Sequence, residues 1–200
     1  MNQSNVFFSV DQEAAAKAGG GDFISEGGAY KGIITKALCV QAGTGSQGIE
    51  LSFEDKTGLK CNFITIYYKK KDGEIIKGGH NAINALMVIM GIQNLTYVNA
   101  GDDVLCNELV NKPIGLCLQK VLYTKNDGSE GYKFDLRFPF DPSNNQTVKE
   151  KASNSPAKSV SLFDIGYKDK DDRKQAQQAP QQQGQGFNGY QNDPQNYEGF

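Results

Sequence analysis

Two tyrosines, Tyr67 and Tyr68, run directly into Lys69, Lys70 and Lys71, and an Asp72-Gly73 turn brings the chain back through Lys77. Flat rings beside ammonium groups are the chemistry that holds a single nucleic-acid strand, since rings stack on bases and cations follow phosphates. The same residue types recur later. Lys120, Tyr123 and Lys125 end one apolar run, and Lys133 and Arg137 share one parity of the next. Lys60 heads the run that contains the tyrosines. A plainer use stands beside this one: lysines at a hairpin tip stay solvated and keep a sheet edge from pairing with another chain. Glu50, Glu54 and Glu74 lie nearby and repel phosphates. Alternation lets only one of Tyr67 and Tyr68 face outward on a regular strand.

Catalytic patterns are missing from the sequence. His80 is the only histidine and sits beside Gly78-Gly79, where a structural or solvent-facing role is expected. No phosphate-binding loop with the Gly-Lys-Ser/Thr ending and no H-E-x-x-H is found. Asp102-Asp103 beside Gly101 reads as a turn or a helix cap. The expectation is therefore no enzyme, no cofactor and no metal. Cys39, Cys61, Cys106 and Cys117 form no C-x-x-C pair, and they read as small buried hydrophobes.

The elements that must position these groups follow from periodicity. Residues 30–40 are β-branched and apolar and stop at a glycine-rich loop, 43–48. Ile49, Leu51 and Phe53 alternate with Glu50, Ser52 and Glu54, a half-buried strand. A longer strand spans 59–68, and 74–77 is expected to pair back on it after the turn. Ile83, Leu86, Met87 and Met90 then fall on one helical face, with Gly91 as the left-handed stop. Residues 93–111 are looser, with a short helix near Glu108. Strands follow over 114–125 and 132–140. In the last, Tyr132, Phe134, Leu136, Phe138 and Phe140 are expected to share the inward face.

The order strand, strand, strand, helix, strand, strand predicts an all-β fold with one inserted helix: the OB-fold, a five-stranded Greek-key barrel. The chain divides into an N-terminal leader over 1–27, with 6–10 packed on the body, a folded domain over 28–142, and a disordered tail over 143–200. From Gln175 that tail is rich in Gln and Gly and carries no Lys, Arg, Leu, Ile, Val or Met, too little apolar surface to repay ordering. The whole chain of 200 residues has a formal net charge of −2, so a nucleic-acid reading rests on where its charges lie. No apolar run is long enough to span a membrane, which predicts a cytoplasmic protein with no membrane partner.

Four pieces carry a family likeness: Gly27-Gly28-Ala29-Tyr30, the lysine-flanked hairpin over 65–77, Asn111-Lys112-Pro113-Ile114-Gly115, and Phe138-Pro139-Phe140. With them the chain resembles phage-encoded single-stranded-DNA-binding proteins with an OB-fold, over about 27–142. The resemblance implies sequence-independent binding of single-stranded DNA in phage DNA replication or recombination, within the host cell cytoplasm. It implies a tail that recruits replication or recombination proteins through an acidic tip, here Asp193, Tyr197, Glu198 and Phe200. It leaves room for a homo-oligomer. Ser159-Val160-Ser161-Leu162-Phe163 also resembles the sliding-clamp-binding peptide of bacterial polymerases, with serine in place of the leading glutamine. The alternative is an OB-like protein-interaction module of a replication or structural complex, with its lysines as plain surface.

Overall fold

Residues 22–173, with Ser9, Val10 and Gln12, are described by a computed structural model. The chain is mostly β-sheet with a few helices. Strands β1 (Gly28–Gln41), β2 (Gln47–Asp55) and β3 (Lys60–Lys69) form an antiparallel meander. Helix α1 (Lys77–Met90) follows, then the short strands β4 (Val98–Ala100) and β5 (Asp103–Leu105) and a 3-10 turn over Asn107–Leu109. Strands β6 (Pro113–Thr124) and β7 (Glu130–Phe140) make a long hairpin.

Strand β1 is the hub. It pairs with β2 on one edge. On the other it pairs with β6 over 28–33, and with β5 at Leu38 after a bulge between Ile34 and Lys36. The principal strands therefore neighbour one another as β3-β2-β1-β6-β7. Strands β3 and β7 come close to each other, yet no hydrogen-bonded ladder joins them among the described residues. The sheet curls without closing there.

The core fills the inside of the curl. Ile34, Leu51, Phe53, Ile64, Ile114, Leu116 and Leu118 are fully buried, and Ile83, Leu86 and Met90 of α1 pack onto them. The helical stop falls where the sequence places it: Gly91 has φ 67°, and Ile92 N–H donates to Met87 O at 2.8 Å. Gly79 sits so close to β3 that a Cβ there would lie 1.9 Å from Tyr67 O, which lets the first turn of α1 rest on the strand backbone. The expected return strand over 74–77 shrinks to a single bridge, Lys69 to Ile75, and Lys77 instead opens the helix. Cys61, Cys106 and Cys117 are buried, and burial pushes each thiol up to about 12.

Two of the departures from expectation reshape the fold. The first is the parity of β7. Leu136 pairs with Leu118 and Phe138 pairs with Cys117, so Arg137 is an extra residue, a bulge that reverses the alternation. Phe134 lies in the main core, whereas Phe138 and Phe140 face a second cluster with Cys117, Val160 and Phe163. The second failure is the domain boundary at 142. The chain stays folded to Arg173 through α2 (Val148–Ala152), α3 (Ser159–Gly166) and β8 (Lys170–Asp171), which pairs parallel with β6. We call residues 143–173 the strap.

Glu150 holds the strap. Its carboxylate is buried and accepts from Thr147 N (2.9 Å), Lys158 N (2.9 Å), Ser159 N (2.8 Å) and Ser159 Oγ (2.8 Å). Burial alone would raise its pKa, but these hydrogen bonds prevail and bring it down to about 2. Val160 is buried on Phe140, and Phe163 meets Phe138 edge-on at 5.7 Å. The peptide that resembles a clamp-binding segment thus lies wholly within helix α3, with Val160 and Phe163 engaged by the chain's own body. Leu162 stays exposed, and Ser159 serves Glu150. Of the leader, Ile24 is buried and residues 22–24 add to the edge of β3, with Ile24 N–H donating to Lys60 O at 2.8 Å. Val10, expected to pack, is 79% exposed. The acidic tip, Asp193, Tyr197, Glu198 and Phe200, lies outside the described residues.

Candidate nucleic-acid interface

The unclosed side of the sheet is a groove. Its larger part, about 680 Å³, has Phe63, Thr65 and Tyr67 of β3 on one wall and Lys133, Phe134 and Arg137 of β7 on the other. Gly78 and Gly79 of α1 close one end. That first turn carries no acidic residue and no side-chain cap. A second part, about 480 Å³, shares Phe63, Lys133 and Phe134 with the first and continues to Phe23, Lys60, Tyr123 and Tyr132. The two parts make one channel along the facing edges of β3 and β7.

Phe63 stands where the two parts meet. It is 74% exposed with φ 62°, a left-handed backbone that a side chain with Cβ adopts at a cost. The cause is local. Phe53 pairs with Cys61 and Leu51 with Ile64, so β3 has two residues, Asn62 and Phe63, against Ser52. This bulge keeps both Cys61 and Ile64 inside the core and turns the intervening ring out.

The cations differ in how free they are. Lys60 and Arg137 line the groove and have no described acid within ion-pair distance. Lys133 is 3.1 Å from Asp135, an exposed pair that a phosphate can exchange for at little cost. At the hairpin tip, Lys70 is 2.6 Å from Glu74, whose hydrogen bond raises the lysine's pKa. Lys71 lies across the 43–48 loop. With Lys70, Thr44 and Ser46 it lines a separate hollow of about 530 Å³. Lys69 ends β3 opposite Gln47, and Lys77 begins α1. Lys125 packs over Gly131 in the β6–β7 turn.

Tyr67 is the outward tyrosine, on the groove. Tyr68 turns in against the core, where burial raises its pKa, and it leaves the candidate set. Lys120 also departs from its expected role as a free cation. Its side chain is 15% exposed and its ammonium sits 3.2 Å from Glu26. Tyr132, read as inward, is 47% exposed.

Phe23, Phe63 and Tyr132 are the residues sequence reasoning missed. Phe63 left one signal: apolar residues switch from odd to even positions between Cys61 and Ile64, which a strand with one buried face accommodates only through a bulge. Compared with known families and curated proteins, the chain matches no family model and no curated sequence.

Proposed function

We propose that this chain is a non-enzymatic, sequence-independent single-stranded-DNA-binding protein acting in phage replication or recombination, and that its curled sheet is an OB-type barrel left open between β3 and β7. The neighbour order β3-β2-β1-β6-β7 with a helix after β3 supports the fold reading, since OB barrels are partly open. The observation that carries the function is the groove itself. Exposed rings, Phe63 and Tyr67 on one wall and Tyr132 on the other, alternate with Lys60, Lys133 and Arg137. Rings give sequence-tolerant stacking and cations follow the backbone, which is what a single strand of any sequence requires.

Binding to oligo-dT tests this reading. With Lys60, Lys133 and Arg137 each neutralising a phosphate, log K falls against log salt with a slope of about −2, at about 0.7 per contact. Salt-insensitive binding, or equal preference for duplex, sinks the proposal. The interaction-module alternative separates on a variant of the groove: replacing Lys60 and Lys133 by Glu abolishes DNA binding if the groove holds the strand. The replacement leaves the protein's role untouched if those lysines are plain surface.

A further inference from the structure

One route from the strap to the groove wall runs through a tyrosine and a lysine. Tyr167 Oη accepts from Lys120 N at 3.1 Å and donates to Asp169. Burial pushes the Tyr167 hydroxyl up to about 12, helped by the Asp169 carboxylate, so it remains a protonated donor. From the backbone that Tyr167 fixes, the Lys120 side chain runs to Glu26 Oε1 at 3.2 Å and places its ammonium 5.1 Å from the centroid of the Tyr132 ring. The same ring meets Phe134 in an edge-on contact at 5.7 Å. Tyr132 is therefore held by a cation over the ring and by a buried neighbour at its side, while almost half of it stays exposed in the groove.

We propose that Lys120 is a positioning residue: it fixes the Tyr132 ring as a base-stacking surface, and the strap, through Tyr167, fixes Lys120. The proposal rests on the reading of the groove as a single-strand site. A direct phosphate contact is the obvious role for a lysine here, but this ammonium is already paired and little exposed. A phosphate would have to displace Glu26 to reach it. A cation over an aromatic face is attracted by the ring's negative centre and limits its rotation.

Oligo-dT binding across a salt series separates the two roles. Lys120→Met removes the charge and keeps the stem, and Glu26→Gln with Lys120→Met removes both partners, so no acid is left unpaired. Both variants are expected to weaken binding about three- to tenfold with the salt slope unchanged. Lys120→Arg keeps a cation over the ring and stays within about twofold of the parent. In a Tyr132→Leu background, Lys120→Met adds nothing further. A slope lowered by about 0.7 in the double variant marks a phosphate contact and overturns the proposal. So does undiminished binding, or a loss that adds in full to that of Tyr132→Leu. The ring resonances of Tyr132 give a readout that needs no DNA: they move in Lys120→Met and hold in Lys120→Arg. If the parent fails to bind oligo-dT, the groove reading falls, whereas resonances that do not move strike the positioning contact alone.

Discussion

Strand β7 carries rings at both ends, and the two ends are treated differently. Phe138 and Phe140 are covered by the strap, with Val160 and Phe163 laid over them. Tyr132 lies at the other end, across the groove from Phe63, and among the described residues no segment covers either. The bulge at Arg137 divides the two regions, and Arg137 itself lines the groove. The contrast teaches that exposure here is not for want of chain. Residues 143–173 cover one apolar face, and among the described residues the neighbouring one stays open beside cations. An open aromatic face in such company is the feature on which the proposed binding surface rests.

Opening the covered face is expected to have the largest effect. Phe140→Ala removes a ring that is 1% exposed and is expected to cost about 3–5 kcal/mol, read as a lower urea midpoint. Little change would mean that the strap covers nothing of consequence. Glu150→Ala, which strands the donors of Thr147, Lys158 and Ser159, is expected to cost about 2–3 kcal/mol. The same carboxylate predicts an acid response. Its pKa is about 2 in the fold against 4.5 ordinarily, so its contribution is complete above about pH 5 and drains away as pH falls toward 2. Glu150→Gln flattens that dependence in a urea series run at several pH values; a parent whose stability ignores pH in this window contradicts the assignment.

The open face answers to binding rather than stability. Phe63→Ala is expected to weaken oligo-dT binding about ten- to hundredfold, the worth of one stacked base. Phe63→Gly loses the same affinity yet raises stability by up to about 1 kcal/mol, because glycine adopts a φ of 62° without strain. If Phe63→Gly destabilises the fold instead, the ring is a structural contact. Arg137→Ala lowers the salt slope by about 0.7 and leaves preference among sequences unchanged. The smallest effect belongs to the tail: deleting residues 192–200 removes the acidic tip and tightens DNA binding less than about twofold, since few charges are involved.

What the sequence made legible was what periodicity encodes. The five long strands, the helix with its Gly91 stop and the burial of Cys61 and Cys117 follow from alternation and a 3.6-residue repeat, whereas β4 and β5 form where 93–111 reads as loose and Cys39, expected inside, is half-buried. The strap was legible only as an apolar island over 159–163, because the rest of its order comes from scattered contacts of Glu150, Asp164, Tyr167 and Arg173 set among Ser, Asn and Lys. Composition averages over such a segment and reports disorder. In the groove, Tyr67, Lys60, Lys133 and Arg137 were readable as residue types beside one another. Phe63 and Tyr132 were not, since a bulge and a strand end decide which way a ring points. Lys120 shows the limit from the other side: its type suggests a phosphate, and only its neighbours, Glu26 and the Tyr132 ring, assign it elsewhere.

In the proposed complex, single-stranded DNA lies between β3 and β7. Photo-crosslinking of the full chain to an oligo-dT carrying 5-bromodeoxyuridine, followed by peptide mapping, tests it directly. Adducts are expected on Phe63, Tyr67 and Tyr132, and Phe63→Ala should remove the first without moving the others. Adducts confined to the strap face around Leu162, or spread evenly over the surface, would contradict the account.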